Sequence, residues 1–271
     1  MYDKIFPPKR VVLPSGKTVL ERRTRAPLIV LLLSAAIALS VQLTEFSLRV
    51  LVTRIDQFFV LIGAMIPPEW SYMPRLWHAL LDTLQMSLLG SMLGSLLALP
   101  MAVAASSNIV RSRAIVSAAK IALSLLRTLP TLVTALIATF VLGLGPMAGV
   151  VAIMLFTVSY VGKLLYEAIE NVDMGPFEAM ESIGMTRIEA FRYAVVPQVL
   201  PGYLSTSLFC FEGNVRYASI LGYVGAGGVG LLINENLGWR DYGRVGMIVA
   251  ALIVTVYVIE TVSEHFRKKL I

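Results

Sequence analysis

Gly175-Pro176-Phe177-Glu178-Ala179-Met180-Glu181-Ser182-Ile183-Gly184, followed thirteen positions after Gly184 by Pro197, stands between two strongly hydrophobic stretches. Gly-Pro is a helix-start signal, with proline near the first turn. Phe177, Met180, Gly184, Ile188 and Phe191 then recur at steps of three, four, four and three, which is the spacing of one apolar helix face. Glu178, Glu181 and Glu189 lie beside that face. Gly184 costs about 1 kcal/mol inside a helix, so a break or a close backbone approach is expected there. Segment 167–193 carries six acids and two bases, Arg187 and Arg192. An amphipathic helix resting on the membrane surface is one reading, but such helices favour Lys and Arg. Docking of a soluble partner is the other.

Outward from this loop the chain reads as membrane protein. It has 271 residues, 57% hydrophobic and 15% charged, with a mean hydropathy of +0.77. Soluble domains are about one quarter charged. Residues 27–44, 83–109, 128–162, 194–211 and 245–259 hold no charge. The third of these is too long for one helix of about 20 residues, and Gly143-Leu144-Gly145-Pro146 divides it. The expected fold is all-α with about six transmembrane helices: 27–44, 80–106, 114–142, 147–166, 196–218 and 244–263. Continuous apolar runs exclude the alternation of a β-barrel. Gly90 and Gly94, four apart, permit close helix packing. Ile55–Ile66 fits an interfacial helix ended by Pro67-Pro68.

Charge placement gives an orientation. Lys4, Lys9, Arg10, Lys17, Arg22, Arg23 and Arg25 precede the first span, and Arg267, Lys268 and Lys269 follow the last. Both termini are therefore expected in the cytoplasm, together with the 167–193 loop. The net charge of +6 reflects this topology, and nucleic-acid binding is not expected. The first span is no cleavable signal, because Gln42-Leu43-Thr44-Glu45 lacks a small-x-small site. The lone Cys210 cannot form an internal disulfide, and His78 and His265 have no ligand-type neighbours, so no metal site is expected.

Charges inside spans usually face the bundle interior. Arg127 sits one turn before Pro130. Glu212 and Arg216 are four apart on one helix face, with Asn214 between and Tyr217 following. They read either as a self-satisfied ion pair or as an anion path, in which Arg127 and Arg216 lower the barrier and Asn214 and Tyr217 add hydrogen bonds. Lys163 reads as a snorkelling or loop-side charge. Gly225-Ala226-Gly227-Gly228-Val229-Gly230 matches the dinucleotide expression G-x-G-x-x-G, but no βαβ unit surrounds it. It reads as a glycine-rich hinge or re-entrant stretch, with a tight surface turn as the alternative.

These motifs resemble the permeases of bacterial ABC importers. The family's loop pattern is Glu-Ala-Ala, three residues, Gly, then nine residues and a short apolar run ending in Leu-Pro. Here it stands as Glu178-Ala179-Met180, Gly184 and Ala194-Val195-Val196-Pro197, with Met for the third Ala and Val for the Leu. Leu126-Arg127-Thr128-Leu129-Pro130, Gly162-Lys163-Leu164, Pro197-Gln198-Val199-Leu200-Pro201, Phe211-Glu212-Gly213-Asn214-Val215-Arg216 and the run Leu221–Gly230 are similar to phosphonate-type permeases over roughly residues 80–266. The resemblance implies a type I importer permease fold for a core at 79–271; the residues before it read as a basic tail at 1–26 and a first helix with an outer segment at 27–78. It implies a bacterial inner-membrane location, a second copy of the chain, a dimer of cytoplasmic ATPases and an outer substrate-binding protein. ATP and magnesium would be bound by the ATPase, with no cofactor in this chain. The cargo implied is phosphonate or a related phosphorus oxyanion; the glycine-rich segment is shared with methionine-type permeases, so an amino-acid cargo is the alternative. Phe177, Glu178, Ala179, Met180, Gly184 and Pro197 would couple to the ATPase. No phosphate-gripping Gly-Lys-Ser/Thr sequence is present. An intramembrane enzyme using Glu212 or Asp82 is the rival of another class.

Overall fold

The computed structural model describes residues 9–12, 16–21 and 26–270. Two compact units divide the chain, Met1–Val60 and Leu61–Ile271. In the first unit, strands β1 (Lys9–Val12) and β2 (Thr18–Glu21) pair antiparallel, Lys9 opposite Glu21 and Val12 opposite Thr18. The tail sequence also reads as two proline-containing turns, and these fall outside the described residues. Helix α1 (Ala26–Leu43) has no charged residue and none buried, as suits a helix whose partner is lipid. Helix α2 (Leu48–Thr53) starts at Ser47, whose hydroxyl accepts the Val50 N–H at 3.4 Å. Helix α3 (Ile55–Ala64) occupies most of the stretch expected to be helical.

The second unit begins at Leu61, not at 79. Residues 65–78 belong to it because Tyr72 and Leu76 are buried against Val229, Leu232, Met247 and Ile248. Arg244 also holds Glu69 at 3.2 Å.

Its centre is the contact between α4 (Met73–Ala105) and α7 (Pro146–Glu170). Gly90, Ser91, Gly94, Ser95, Ala98 and Ala102 give α4 one small-residue face, and all are buried. A Cβ on Gly90 would lie 2.8 Å from the Ile153 Cβ; one on Gly94 would lie 2.5 Å from the Thr157 Cβ and 2.8 Å from the Met154 carbonyl. Helices without a hydrophobic drive between them associate through such close backbone approach.

The stretch expected as one span at 114–142 is broken. Helices α5 (Arg113–Thr128) and α6 (Thr131–Leu142) meet at 90°. Pro130 lacks an N–H and pushes Leu129 to an extended conformation, ψ 120°, so the helix ends there. Among the described residues five helices are long and apolar enough to cross a membrane, and six if the bent pair counts as one span.

Beyond α7 the chain forms α8 (Gly175–Ser182) and α9 (Arg187–Ala190), then a π-type turn at Phe191–Val195 leading into α10 (Val196–Leu221). The single helix expected over 175–193 is therefore two, hinged at Gly184. A 3₁₀ turn at Gly222–Val224, helix α11 (Val229–Gly238) and the long α12 (Tyr242–Leu270) complete the unit.

Gly94→Leu should lower the thermal unfolding midpoint of the detergent-solubilised permease by an amount corresponding to at least about 1–3 kcal/mol, the usual cost of overpacking. Gly63→Ala, where a Cβ meets nothing within 4 Å, should leave the midpoint unchanged; equal effects would show that the α4–α7 contact is not what limits stability.

Candidate coupling loop and polar cavities

The 171–190 loop is braced on every side. Asp173 accepts the Gly175 N–H at 2.9 Å and so starts α8. Glu170 accepts from the Ser107 N–H at 2.8 Å, the Ser107 hydroxyl at 2.6 Å and Lys120 at 2.8 Å. Asn108 donates to the Ile169 carbonyl at 2.7 Å. Helix α8 ends in a Schellman motif: Gly184, at φ +94°, donates to the Glu181 carbonyl and Met185 donates to that of Met180. Thr186 and Glu189 then form a reciprocal capping box. The Thr186 hydroxyl, at 2.7 Å, and its N–H, at 2.9 Å, hold the Glu189 carboxyl below its ordinary pKa. Arg187 donates to the Ile109 carbonyl at 3.0 Å, pairs with Glu181 at 3.6 Å and covers the Phe177 ring at 5.4 Å.

This geometry divides the expected coupling residues. Phe177 is only 2% exposed, packed among Ala102, Leu165, Ile169, Ala190, Ala194 and Val195, with Met180 half-buried beside it. Phe177 thus joins the loop to α4 and α7 and presents no surface to a partner. The turn at Gly184 reverses the apolar face, so Ile183 and Ile188 point outward at 78% and 81% exposure. Glu178, Ala179 and Gly184 are exposed beside them. Pro197 is the second residue of α10, directly after the π-type turn at Phe191–Val195. Ile183 escaped the sequence reading, and Ile188 was put on one face with Phe177, because one helix period was carried across the glycine that ends the helix.

The polar residues of the spans separate as well. Asn214 is fully buried, and its amide donates to Ser91 at 2.8 Å and to Thr157 at 2.9 Å. It ties α10 to α4 and α7 and lines no open cavity. Glu212, 4% exposed, accepts from Arg216 at 2.7 Å, as the spacing anticipates, and also from Arg267 of α12 at 3.5 Å. No sequence pattern linked positions 212 and 267. Arg216 and Tyr217 remain exposed and line a cavity of about 360 Å³ with Phe156, Tyr160, Phe209 and Ile220. Arg127 lines a different cavity, of about 260 Å³, beside Lys163. Of the five residues expected along the path, Arg127, Glu212, Asn214, Arg216 and Tyr217, Arg216 and Tyr217 share one cavity.

The glycine-rich run is a folded junction instead of an open hinge. Gly225, Gly227 and Gly228 have φ of +83°, +79° and +71°, where a side chain is strained. The Thr83 hydroxyl accepts the Val229 N–H at 2.9 Å, so the first turn of α11 is already capped. The Gly225 carbonyl accepts the Gly145 N–H at 2.9 Å. A Cβ on Gly230 would collide with the Ser219 carbonyl. Helix α11 was readable from buried Val229, Leu232 and Asn236 at helical spacing.

With this geometry in hand, likeness to other proteins is informative. Residues 90–271 match the family described as "Binding-protein-dependent transport system inner membrane component". The phosphate-import permease protein PhnE of Mycolicibacterium smegmatis is 34% identical over 208 residues, 76% of this chain and 39% of that protein. The chain thus spans well under half of that relative's length. The putative phosphite transport system permease protein HtxC of Stutzerimonas stutzeri is 30% identical over 261 residues, 96% of this chain and 92% of that protein. Among solved structures, a chain of the inward-facing MetNI methionine ABC transporter is 20% identical with a TM-score of 0.67, covering 75% of this chain and 99% of that one. That likeness speaks for the fold alone. The protein is therefore a transport permease and no enzyme, and it belongs to the family of inner-membrane components of binding-protein-dependent transport systems.

Proposed function

We propose that this chain forms the translocation path of an ATP-driven importer for phosphorus oxyanions: phosphonate, phosphite or phosphate. The observation that carries the coupling half of this reading is the braced 171–190 loop with its exposed crest of Glu178, Ala179, Ile183, Gly184 and Ile188. Large exposed apolar residues held on a rigid support suit a partner's groove. Here the partner is a cytoplasmic ATPase dimer that binds ATP and magnesium. A second copy of this chain and an external substrate-binding protein complete the complex. The basic residues flanking α1 and α12 support a cytoplasmic position for both termini and for the loop.

The cargo half rests on the phosphate and phosphite permeases among the relatives and on Arg216. Its guanidinium is held at one nitrogen by Glu212 and is exposed to the cavity it shares with Tyr217. An arginine fork matches tetrahedral oxyanions, and a neighbouring carboxylate limits how tightly they are retained. Closure of the ATPase dimer would displace the crest. The packing of Phe177 on Leu165 and Ile169 of α7 and the hydrogen bond from Gln198 of α10 to the Asp173 carbonyl at 3.1 Å would pass that displacement to α7 and α10.

The first test is co-reconstitution with the ATPase and binding protein in liposomes. ATP hydrolysis should rise with an alkylphosphonate, phosphite or phosphate and not with methionine. Stimulation by methionine alone would keep the architecture and overturn the cargo. A second test separates crest from support. Ile188→Asp should leave the unfolding midpoint of the permease unchanged and reduce uptake more than tenfold. Phe177→Ala should destabilise the permease itself by about 3 kcal/mol, in the range for emptying a buried phenylalanine site. Gly184→Asp, strained at φ +94°, should abolish uptake while substrate capture by the binding protein persists. Normal uptake in both Ile188→Asp and Gly184→Asp would sink the coupling assignment.

A further inference from the structure

Helix α5 carries its polar side chains in one stripe. Arg113, Ser117, Lys120, Ser124 and Arg127 recur at steps of four, three, four and three, and so share a face. Val116, Ala119 and Leu123 are buried on another face, while Ile121 and Leu125 are exposed on a third. Helix α7 answers with its own polar stripe, Lys163, Tyr166, Glu167 and Glu170. The two stripes meet at the end that carries the coupling loop. There Lys120 lies 2.8 Å from Glu170 and 5.0 Å from the Tyr166 ring centroid.

Two turns from this pair the stripes separate around the cavity of about 260 Å³, lined by Leu123, Ser124, Arg127, Thr128, Lys163 and Tyr166. Its charges do not balance. Glu170 is engaged by Lys120 and Ser107. Glu167 reaches Lys163 at 3.4 Å, with both side chains more than a third exposed to solvent, so this pair is weak. Among the described residues no carboxylate approaches Arg127 within 4.0 Å, although Glu170, Glu167 and Lys163 pair around it. Arg127 is exposed on the cavity side, so its guanidinium is free to meet a group from outside the chain. The neighbouring groups are suited to an anion. The Ser124 and Tyr166 hydroxyls have no partner among the described hydrogen bonds, and that of Thr128 donates to the Leu125 carbonyl and can still accept.

We propose that this cavity is an anion site distinct from the Arg216 cavity, and that it binds the tetrahedral phosphate group. Arg127 supplies a bidentate fork, Lys163 a point charge, and Ser124 and Tyr166 supply hydroxyl donors. Free inorganic oxyanion and the headgroup of an anionic lipid present the same chemistry here. The break at Pro130 ends α5 one residue after Arg127, so Arg127 stands in the last turn of α5, where the chain turns by 90°. The inference does not depend on which solute the permease carries.

The test uses the full chain in nanodiscs with inorganic phosphate as the probe. In phosphatidylcholine discs, phosphate should bind saturably. Arg127→Gln and Lys163→Gln should each raise its Kd at least about tenfold, the scale of losing one charge-assisted contact. Arg75→Gln, at the opposite end of α4, should not change it. In discs doped with phosphatidylglycerol, loss of phosphate binding together with an Arg127-dependent shift of the lipid phosphorus resonance would identify the headgroup as occupant and support the same site. Should Arg127→Gln fail to fold, Ser124→Ala carries the test, with an expected Kd increase of about threefold. Binding of neither phosphate nor lipid, or binding indifferent to Arg127, Lys163 and Ser124, would overturn the proposal.

Discussion

Hydrocarbon offers no partner to a polar backbone and no hydrophobic reward for helices that touch, so this permease depends on how closely α4 and α7 approach. Gly90 and Gly94 remove the Cβ atoms that would keep the backbones apart. Close approach then places Ser91 and Thr157 where one amide, that of Asn214, reaches both. The hydrogen bonds follow from the glycines, because any side chain at position 94 would move Thr157 out of reach. Three helices are joined at one buried point, and the remaining elements are arranged around it.

Both ends of the α4–α7 pair carry a folded junction. At one end, Thr83 of α4 caps α11 and Gly145, just before α7, bonds the glycine-rich run. At the other, Ala102 of α4 and Leu165 and Ile169 of α7 form the bed in which Phe177 sits. The loop thus packs on the same two helices that hold the far junction. A loop hinged freely would absorb a displacement, whereas capping at Asp173, Gly184 and Thr186 leaves this one few soft torsions.

Much of this fold is legible in the sequence for a simple reason. Uncharged windows of membrane length have few alternatives, and the Glu178, Gly184 and Pro197 spacing adds a family signature. What escaped is instructive. The break at Leu129-Pro130 follows a well-known rule, yet hydropathy runs across it undisturbed, and a window average cannot register a local loss of one N–H. Phe177 was placed outward because its helical period was extended through Gly184. A glycine at that position is as good a helix end as it is a helix fault, and two hydrogen bonds in three dimensions decide between them. Asn214 was grouped with Arg216 because the two share a helix. Residues two apart point to different sides, and here one side is the bundle interior and the other a cavity.

The distribution of arginines follows the same logic of enforced partnership. Glu212 is buried and could not be left with one exposed partner, so it draws Arg267 from α12 as well as Arg216 from its own helix. Removing Glu212 would therefore release two cations, not one, and would separate α12 from α10 at the level of Phe209, over whose ring Arg267 lies at 5.4 Å. Arg127 stands in contrast. Its neighbours on α7 are a lysine, a tyrosine and a carboxylate already facing that lysine. Arg75, Arg187, Arg216, Arg244 and Arg267 are each answered by a carboxylate, whereas Arg127 shares its cavity with a second cation, Lys163, and it is this pairing of two cations at one cavity that the proposed outside anion would balance.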